Sequence, residues 1–322
     1  MRLELFVSCL ALVLGTNVGH GVTIRDDVSD ATSQSLASPL TAMGRLNAGG
    51  GIVSGVLIGE QYVITAAHVA GSSNPGDYSF TIGGLTYGVS AVTVYSGWSA
   101  LGGNDLAILQ LSTSVTNVTP APLYTGNDEL GKTVWVAGYG QPGNGTDGIN
   151  GARGTLRAAT NIIDAYSYGS YTSGNNLFFD FDDGTLPTNR TGLWTMTTYE
   201  GMVAPGDSGG GVFIEDGGVY YLAGIHSAVL SGETDPPFGY GNIGGSTRIS
   251  TNLDFIYSAI PEPGISGLLL LGALGVWGNR KRRKTDDRHG EQKSVCDSSG
   301  GRNGGGNGFG MGCQRGVESG SA

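Results

Sequence analysis

Short apolar segments alternate with polar turns over most of the chain. Between residues 22 and 260, runs rich in β-branched and aromatic residues are separated by clusters of glycine, asparagine, aspartate and serine. Many short strands bounded by turn residues are typical of an all-β sandwich or a pair of β-barrels. The predicted strands are Gly51–Ile58, Tyr62–Thr65, Tyr78–Ile82, Val89–Val94, Leu106–Leu111, Thr133–Ala137, Leu177–Phe181, Gly211–Ile214, Val219–Ile225 and Ser246–Ile249.

The end of this region has a different pattern. Ser250–Ile260 lacks glycine, and Leu253, Phe255 and Ile256 are its apolar positions. We therefore predict one helix there. The composition agrees with a mainly β fold, because 59 of the 322 residues are glycine. That is far above the usual share of about 7% and excludes a mostly helical protein.

The first residues have the pattern of an export signal. Arg2 precedes an apolar run from Leu5 to Leu14, and the small residues Gly19 and Gly21 follow. This order is typical of a secretory signal peptide, which we assign to residues 1–21 with cleavage near Gly21. The alternative is a buried N-terminal helix. The prediction is that residues 22–260 form an exported domain.

A second targeting pattern follows this domain. Residues 261–284 contain Pro261-Glu262-Pro263, an apolar run from Gly264 to Gly278 and five cations from Arg280 to Lys284. The run is shorter than the roughly 20 residues that span a bilayer comfortably, but the cations are typical of a stop-transfer end. The three parts together resemble the bacterial PEP-CTERM sorting signal, which implies transient membrane anchoring and processing by an exosortase. A plain apolar helix is the alternative.

The glycine-rich extension 285–322 is predicted to be disordered. It is either a genuine cytoplasmic tail or a reading-frame artefact.

Charge and cysteine content exclude several classes of partner and site. Residues 22–260 contain 7 Lys+Arg and 20 Asp+Glu, a formal charge of −13. Nucleic acid is an unfavourable partner for such a surface, because phosphate contacts need cations. The cysteines are Cys9, Cys296 and Cys313. The domain is therefore predicted to fold without disulfides and without a thiolate metal site.

Three segments contain residues with catalytic chemistry. Val63–His68 is a strand that runs into small residues and a histidine, Gly103–Leu109 has an aspartate before an apolar strand, and Ala204–Gly211 frames a serine with glycines. Each alone has an ordinary explanation as a capped or glycine-rich turn. In the third segment, however, a tight turn would direct the amides of Gly206 and Ser208 into one concavity. Two such donors are what a tetrahedral oxyanion requires.

In the order His68, Asp105, Ser208, the three segments closely resemble the chymotrypsin-like serine proteases. Their spacings are 37 and 103 residues. The order differs from subtilisins, in which Asp comes first, and from α/β-hydrolases, in which Ser comes first. The resemblance spans about residues 24–260 and implies two antiparallel six-stranded β-barrels with a C-terminal helix and the active site between them.

The same resemblance implies a role for each residue. Ser208 would be the nucleophile, His68 its base and Asp105 the group that orients the histidine. The amides of Gly206 and Ser208 would form the oxyanion hole. Three further segments resemble family strands near the site, namely Ser54–Ile58, Val136–Gly140 and Ala223–Ser227. No cofactor or metal ion is expected in this chemistry.

The resemblance also implies a specificity pocket, with Met202 at its base and Ser227, Val229 and Gly244 in its walls. An apolar base lacks the carboxylate that pairs with Lys or Arg, so trypsin-like cleavage is not expected. His226 occupies a position that binds an acidic side chain in glutamyl endopeptidases. The alternative is a packed strand histidine without a ligand. The preferred substrate residue stays open.

Activation and cation binding stay open as well. Animal members of the family pair a freed N-terminus with the aspartate before the serine, here Asp207, but no Ile-Val-Gly-Gly sequence occurs near Ile24. The N-terminus left by signal cleavage could serve, or none is needed. The acidic groups Asp26-Asp27-Asp30 and Asp180-Asp182-Asp183 are either calcium ligands or solvated acidic turns.

The sequence thus predicts an exported serine endopeptidase that acts on proteins or peptides through an acyl-enzyme. One alternative is a catalytically inactive binding module on the same fold. Another is an esterase, because acyl chemistry is common to both. Turnover of peptides compared with esters would separate the esterase from the endopeptidase.

Overall fold

The computed structural model describes residues 21–71, 74–191, 196–231 and 236–260, which form a mainly β structure. The strands are β1 (Val22–Ile24), β2 (Met43–Ala48), β3 (Gly51–Gly59), β4 (Tyr62–Thr65), β5 (Tyr78–Ile82), β6 (Leu85–Val94), β7 (Ala107–Leu111), β8 (Thr133–Gly138), β9 (Pro142–Asn144), β10 (Gly148–Ile149), β11 (Arg157–Ile162), β12 (Asn176–Asp180), β13 (Gly201–Met202), β14 (Gly211–Asp216), β15 (Val219–Leu230) and β16 (Ile243–Arg248). The α-helices are α1 (Asp30–Ala37) and α2 (Leu253–Ala259), and a short 3₁₀-helix spans Pro75–Asp77.

The first half of the domain is a closed antiparallel barrel. Its strand order is β2-β3-β4-β7-β6-β5. Alternate side chains point inward along each strand, so Leu46, Val56, Ile64 and Phe80 are completely buried in one core. Gly44 on β2 has no room for a side chain, because a Cβ there would lie 2.1 Å from the Phe80 ring. The ring therefore fills the barrel where β2 and β5 pair.

The second half is a curled antiparallel sheet in the order β11-β8-β14-β15-β16-β12. Its core contains Val134, Phe179, Val212 and Ala223, all fully buried. No strand ladder joins β11 to β12 in the described residues. Instead, the side-chain amide of Asn161 donates to the carbonyls of Asp180 and Gly201. A side chain thus spans the place where a further ladder would close the barrel.

A small sheet, β10-β9-β1-β13, attaches the N-terminal segment to the second half. Thr23 lies opposite Met202 and Val22 lies opposite Pro142. Helix α1 follows and is capped by Ser29, whose side chain accepts the N–H of Thr32. The buried Arg157 of β11 pairs with Asp30 at the start of this helix. These contacts hold the beginning of the domain beside the strands that precede the Ser208 turn.

The fold-class prediction is confirmed as a trypsin-like double-barrel architecture, with one barrel closed and the other half-closed. Each of the ten predicted strands has an observed counterpart, and the predicted helix is shorter, Leu253–Ala259. Strands β1, β2, β9, β10, β11 and β13 and helix α1 were not predicted.

Two predicted segments fall largely or wholly outside the described residues. They are the signal peptide 1–21, of which only Gly21 is described, and the sorting segment 261–284 with its extension 285–322. Among the described residues, none of the helices has the length and apolar character needed to cross a bilayer.

Candidate active site

His68 and Asp105 are brought together by the pairing of β4 and β7. Thr65 at the end of β4 lies opposite Ala107 at the start of β7. The backbone N–H of His68 donates to Asp105 Oδ1 at 2.9 Å, and His68 Nδ1 lies 2.8 Å from Oδ2. Because a carboxylate only accepts, Nδ1 carries the proton and Nε2 is the basic nitrogen. The ring is thus fixed as a base with one free lone pair.

A third group completes the surroundings of Asp105. The Ser227 hydroxyl on β15 donates to Asp105 Oδ2 at 2.6 Å and itself accepts the N–H of Leu101. Burial of the fully enclosed carboxyl would raise its pKa, but the hydrogen bond and charge of His68 and the hydrogen bond of Ser227 outweigh this effect. The pKa of Asp105 is therefore held below its ordinary value, and the group stays ionised.

Ser208 lies in a tight turn held against the first barrel. Gly206 and Gly209 on either side have φ angles of +98° and +79°, which favour glycine. A Cβ on Gly209 would lie 2.0 Å from the Thr65 hydroxyl, so only glycine fits. The N–H of Ser54 on β3 donates to the Ser208 carbonyl at 3.0 Å. The serine is thereby positioned where β3 and β4 meet the second half, close to the end of the strand that leads to His68.

The peptide groups of this turn have a fixed orientation. The Ser54 hydroxyl donates to the Gly206 carbonyl at 3.0 Å and accepts the Tyr139 N–H at 2.9 Å. In the described residues, neither the Gly206 nor the Ser208 N–H donates a hydrogen bond. Also within that part of the chain, His68 is bonded to Asp105 and not to Ser208 Oγ. Catalytic hydrogen bonds are often long in a free enzyme and shorten when substrate binds.

The buried side chain of Asp207 stabilises this turn through hydrogen bonds with backbone N–H groups. Its carboxylate accepts the N–H of Gly140 at 2.7 Å and that of Ala204 at 2.8 Å. Complete burial raises the pKa of Asp207 to about 6, although the backbone N–H groups of Ala204, Gly140 and Val22 and the charge of Arg153 oppose the shift. Strand β1 thus brings the backbone nitrogen of Val22 to a buried carboxylate.

A cavity of about 170 Å³ opens beside Ser208. Three of the residues predicted for the specificity pocket, His226, Ser227 and Val229, line it together with Val203, Ala204, Pro205, Ala228 and Phe238. None of these described residues has a carboxylate. Phe238 has a left-handed backbone conformation, with φ +64°, that places it at this site.

Met202 and Gly244, also predicted for the pocket, do not line this cavity. Met202 is fully buried in the core of the second half, where β13 pairs with β1. Gly244 is the cross-strand partner of Val229, but the Phe179 ring covers it, and a Cβ there would lie 2.4 Å from that ring. The cavity is consequently shallower than the sequence alone implies.

His226 is neutral in its buried position. Its Nδ1 lies 3.0 Å from the Ser246 hydroxyl, and burial lowers the pKa of the ring to about 3. Its Nε2 has no hydrogen-bond partner within the described chain. The backbone groups of Ala137 and Gly211 face the ring. His226 therefore adds no positive charge to the cavity near neutral pH.

A separate group of acidic residues lies at the end of β12. The carboxylates of Asp180, Asp182 and Glu200 are buried, with oxygens within 4.8 Å of one another, which is a spacing that could hold a metal ion. Asp183 instead faces outward and accepts hydrogen bonds from Thr185 and Thr188. The interpretation as a solvated turn fits Asp183 but does not fit Asp180 and Asp182, which are buried. Asp26 accepts two hydrogen bonds from Thr146, Asp27 pairs with Arg25 and Asp30 pairs with Arg157.

We expect Glu200→Gln to stabilise the protein at alkaline pH. Burial and the charges of Asp182 and Asp180 raise the pKa of Glu200 to about 9. Between the ordinary value of 4.5 and this value, folding takes up a proton, so the free energy of unfolding falls as pH rises. Glutamine keeps an oxygen to accept the two Thr197 hydrogen bonds. At pH 8 the gain should exceed about 1.4 kcal/mol, the value of one pKa unit.

The test is denaturant unfolding of wild type, Glu200→Gln and the exposed control Glu60→Gln between pH 5 and pH 9. The difference between wild type and Glu200→Gln should grow with pH, whereas the control should follow wild type. Parallel curves for all three proteins would contradict a proton held by Glu200.

Several contacts in this site come from residues to which the sequence assigned no positioning role. Ser54 and Thr65 position the serine turn, and Val22 reaches Asp207 from the start of the domain. Ser227 was predicted as a pocket wall, and it also donates to Asp105. Ser54, Thr65 and Ser227 stand in segments that resemble the family, but no pattern in those segments predicts these contacts.

Comparison with known proteins gives one family match. A family model described as Trypsin matches residues 28–256, a range that contains His68, Asp105 and Ser208. No curated protein sequence matches the chain significantly.

Proposed function

The chain belongs to the trypsin family, and from this membership we propose that it is an exported serine endopeptidase whose catalytic residues are Ser208, His68 and Asp105. A trypsin-like protease acts on proteins or peptides. The observation that supports the catalytic assignment is the hydrogen-bonded series from Ser227 through Asp105 to His68, next to a serine framed by glycines. Only a positioned base and an accessible hydroxyl make such a serine nucleophilic.

In the proposed reaction, Ser208 Oγ attacks the carbonyl carbon of the scissile peptide bond while its proton passes to His68 Nε2. His68 then gives this proton to the leaving amine as the C–N bond breaks, which leaves an acyl-enzyme ester. A water molecule, deprotonated by the same nitrogen, hydrolyses the ester and restores the Ser208 hydroxyl. Asp105 holds the imidazole in the required tautomer and stabilises the imidazolium that forms.

The negative charge on the carbonyl oxygen would be bound by the amides of Gly206 and Ser208. The Pro205 carbonyl accepts the N–H of Gln141 at 2.8 Å, which fixes the peptide group that contains the Gly206 N–H and favours this role. Donors that are already in place stabilise the transition state without reorganisation, and one such donor contributes about 3 kcal/mol. Asp207 supports the turn through the Gly140 and Ala204 amides.

The cavity beside Ser208 favours small or medium apolar side chains on the acyl side of the scissile bond. Val203, Ala204 and Val229 form an apolar wall, and the volume of about 170 Å³ limits what can enter. Lys and Arg would find no carboxylate among the described lining residues. An acidic side chain would meet the neutral His226 and not a cation.

We also propose that residues 1–21 direct export and that residues 261–284 anchor the enzyme transiently in the membrane until an exosortase-type enzyme processes it. The signal-like pattern of both segments supports this location. Fractionation of the native cells is the test. Full-length protein free in the cytoplasm would contradict it.

The proposed activity can be tested with a fluorophosphonate probe, which reacts covalently with activated serines. Purified wild type should be labelled, whereas Ser208→Ala and His68→Ala should not. Ser114→Ala, at an exposed serine outside the site, is the control and should be labelled like wild type. We expect labelling to be lost in the two active-site variants and to be kept in wild type and in the control. A folded wild type that is not labelled, or labelling that survives Ser208→Ala, would overturn the proposal.

The probe does not separate a peptidase from an esterase. Digestion of a denatured protein such as casein, followed by mass spectrometry of the products, makes that distinction. Cleavage at peptide bonds that is lost in Ser208→Ala supports an endopeptidase. Hydrolysis of esters without any peptide cleavage would favour the esterase hypothesis.

A further inference from the structure

Arg153 is an exposed cation that lies directly on the Ser208 turn. Its guanidinium Nη1 donates to the carbonyl of Ile52 on β3 at 3.3 Å. A Cβ built on Gly206 would lie 2.7 Å from Arg153 Cδ and 2.9 Å from Nε, so the side chain runs across the Gly206 backbone. The cation therefore borders the peptide group proposed to bind the oxyanion.

The charge of Arg153 is not neutralised by a neighbouring ion pair. In the described part of the chain, no carboxylate oxygen lies within ion-pair distance of it. The nearest acidic influence is Asp207, which is buried and already accepts two backbone N–H groups. Four other cations of the domain do have carboxylate partners, namely Arg25 with Asp27, Lys132 with Asp128, Arg157 with Asp30 and Arg248 with Glu129.

The position of Arg153 relative to the cavity indicates which part of a substrate it meets. The cavity is lined by residues 203–205 and 226–229, by Ser208 and by Phe238, and neither Arg153 nor Ile52 contributes to it. Gly206 directly follows Pro205, which lines this cavity, and the Arg153 side chain runs across its backbone. A peptide whose side chain before the scissile bond fills the cavity would thus extend its leaving group over Gly206 toward Ile52.

We propose that Arg153 is a specificity-determining residue, which selects substrates with an acidic side chain among the first two residues after the scissile bond. This inference rests on the proposed endopeptidase function. A carboxylate there would pair with the guanidinium at a surface whose overall charge is negative, where an acidic substrate otherwise has no favourable contact. Arginine also suits this role because its planar fork can bind a carboxylate through two N–H groups.

The test is a series of quenched fluorescent peptides built on one sequence that the full-length enzyme cleaves in casein. The series places Glu, Gln or Lys at each of the first two positions after the scissile bond. For wild type, kcat/KM should follow the order Glu, Gln, Lys, with steps of about twofold to fivefold that shrink at high salt, as expected for an exposed pair. Arg153→Gln should remove the order, and Arg153→Glu should reverse it.

Two controls make the result specific. Lys132→Gln changes the net charge equally at a surface ion pair at the far end of β8, and it should keep the wild-type order. A nitrophenyl ester has no residue after its scissile bond, so its hydrolysis measures any effect of Arg153→Gln on the oxyanion turn alone, and each peptide rate is divided by the ester rate of the same protein.

The outcomes separate the two proposals. A Glu preference that survives Arg153→Gln after division by the ester rate overturns the role of Arg153 alone, as does a wild type indifferent to these positions. Failure of wild type to cleave casein, to hydrolyse the ester and to react with the fluorophosphonate probe overturns the endopeptidase, and the role of Arg153 with it.

Discussion

Replacing Asp105 by asparagine is expected to lower kcat for a cleaved peptide by about 10⁴-fold, the usual effect of removing the orienting carboxylate from a Ser-His-Asp site. The carboxylate accepts from both His68 Nδ1 and the Ser227 hydroxyl. Asparagine has one carbonyl oxygen, and its NH₂ group would face a nitrogen that must itself donate. The histidine would then adopt the other tautomer, with its proton on Nε2, where it cannot accept the proton of Ser208.

The matched control is Asp216→Asn, at an exposed carboxylate on β14. Thermal unfolding of both variants should accompany the kinetics, because Asp105 is fully buried and its loss also affects stability. A folded Asp105→Asn protein whose kcat is within tenfold of wild type would show that Asp105 does not orient the base. Asp216→Asn should be indistinguishable from wild type.

A chain whose first residue is Val22 should be about 10²- to 10⁴-fold more active than one that retains residues before it. Asp207 is fully buried, and the backbone nitrogen of Val22 is one of the groups that hold down its pKa. A free α-ammonium at this nitrogen would supply the buried positive charge that the carboxylate lacks. Breaking a buried ion pair costs about 3–5 kcal/mol, which corresponds to this range of activity. Without this ammonium charge, the Asp207 carboxylate would hold the turn that contains Gly206 and Ser208 less firmly.

This prediction can be measured by releasing Val22 in vitro from a fusion and determining kcat/KM before and after release. Acetylation of the released amine keeps the length and removes the charge, and it should abolish the gain. Because a carboxylate raises the pKa of its ammonium partner, the activity should persist at neutral pH and decline as pH rises above about 8. Equal activity of fused, released and acetylated proteins would contradict the ion pair.

The sequence predicted best those strands whose local apolar pattern matches the side chains that are buried in the folded protein. β4 and β5 were predicted with their observed bounds, because their apolar residues fill the first barrel. β2 was missed because Arg45 and Asn47 interrupt its pattern, while Leu46 between them is buried. β11 is buried except at Ile162 despite its small and polar residues, and its Arg157 depends on Asp30, which is distant in sequence. The sequence around Arg157 does not show that Asp30 is its partner.

The candidate site likewise contains residues that the sequence identifies and residues whose contacts only the structure shows. His68, Asp105 and Ser208 stand in recognisable segments, so their identities follow from the sequence. The groups that position them do not, because Ser54, Ser227 and Val22 act through contacts between distant parts of the chain. The pocket shows the same limit, since only the structure reveals that the Phe179 ring covers Gly244.

The contact of Gly209 with Thr65 joins the proposed nucleophile to the barrel that supplies its base. His68 and Asp105 belong to the first half of the chain and Ser208 to the second, so neither half contains a complete reaction centre. During synthesis the first barrel leaves the ribosome before the strand that follows Ser208 exists. Proteolytic capacity would therefore arise only when the second half has folded against the first.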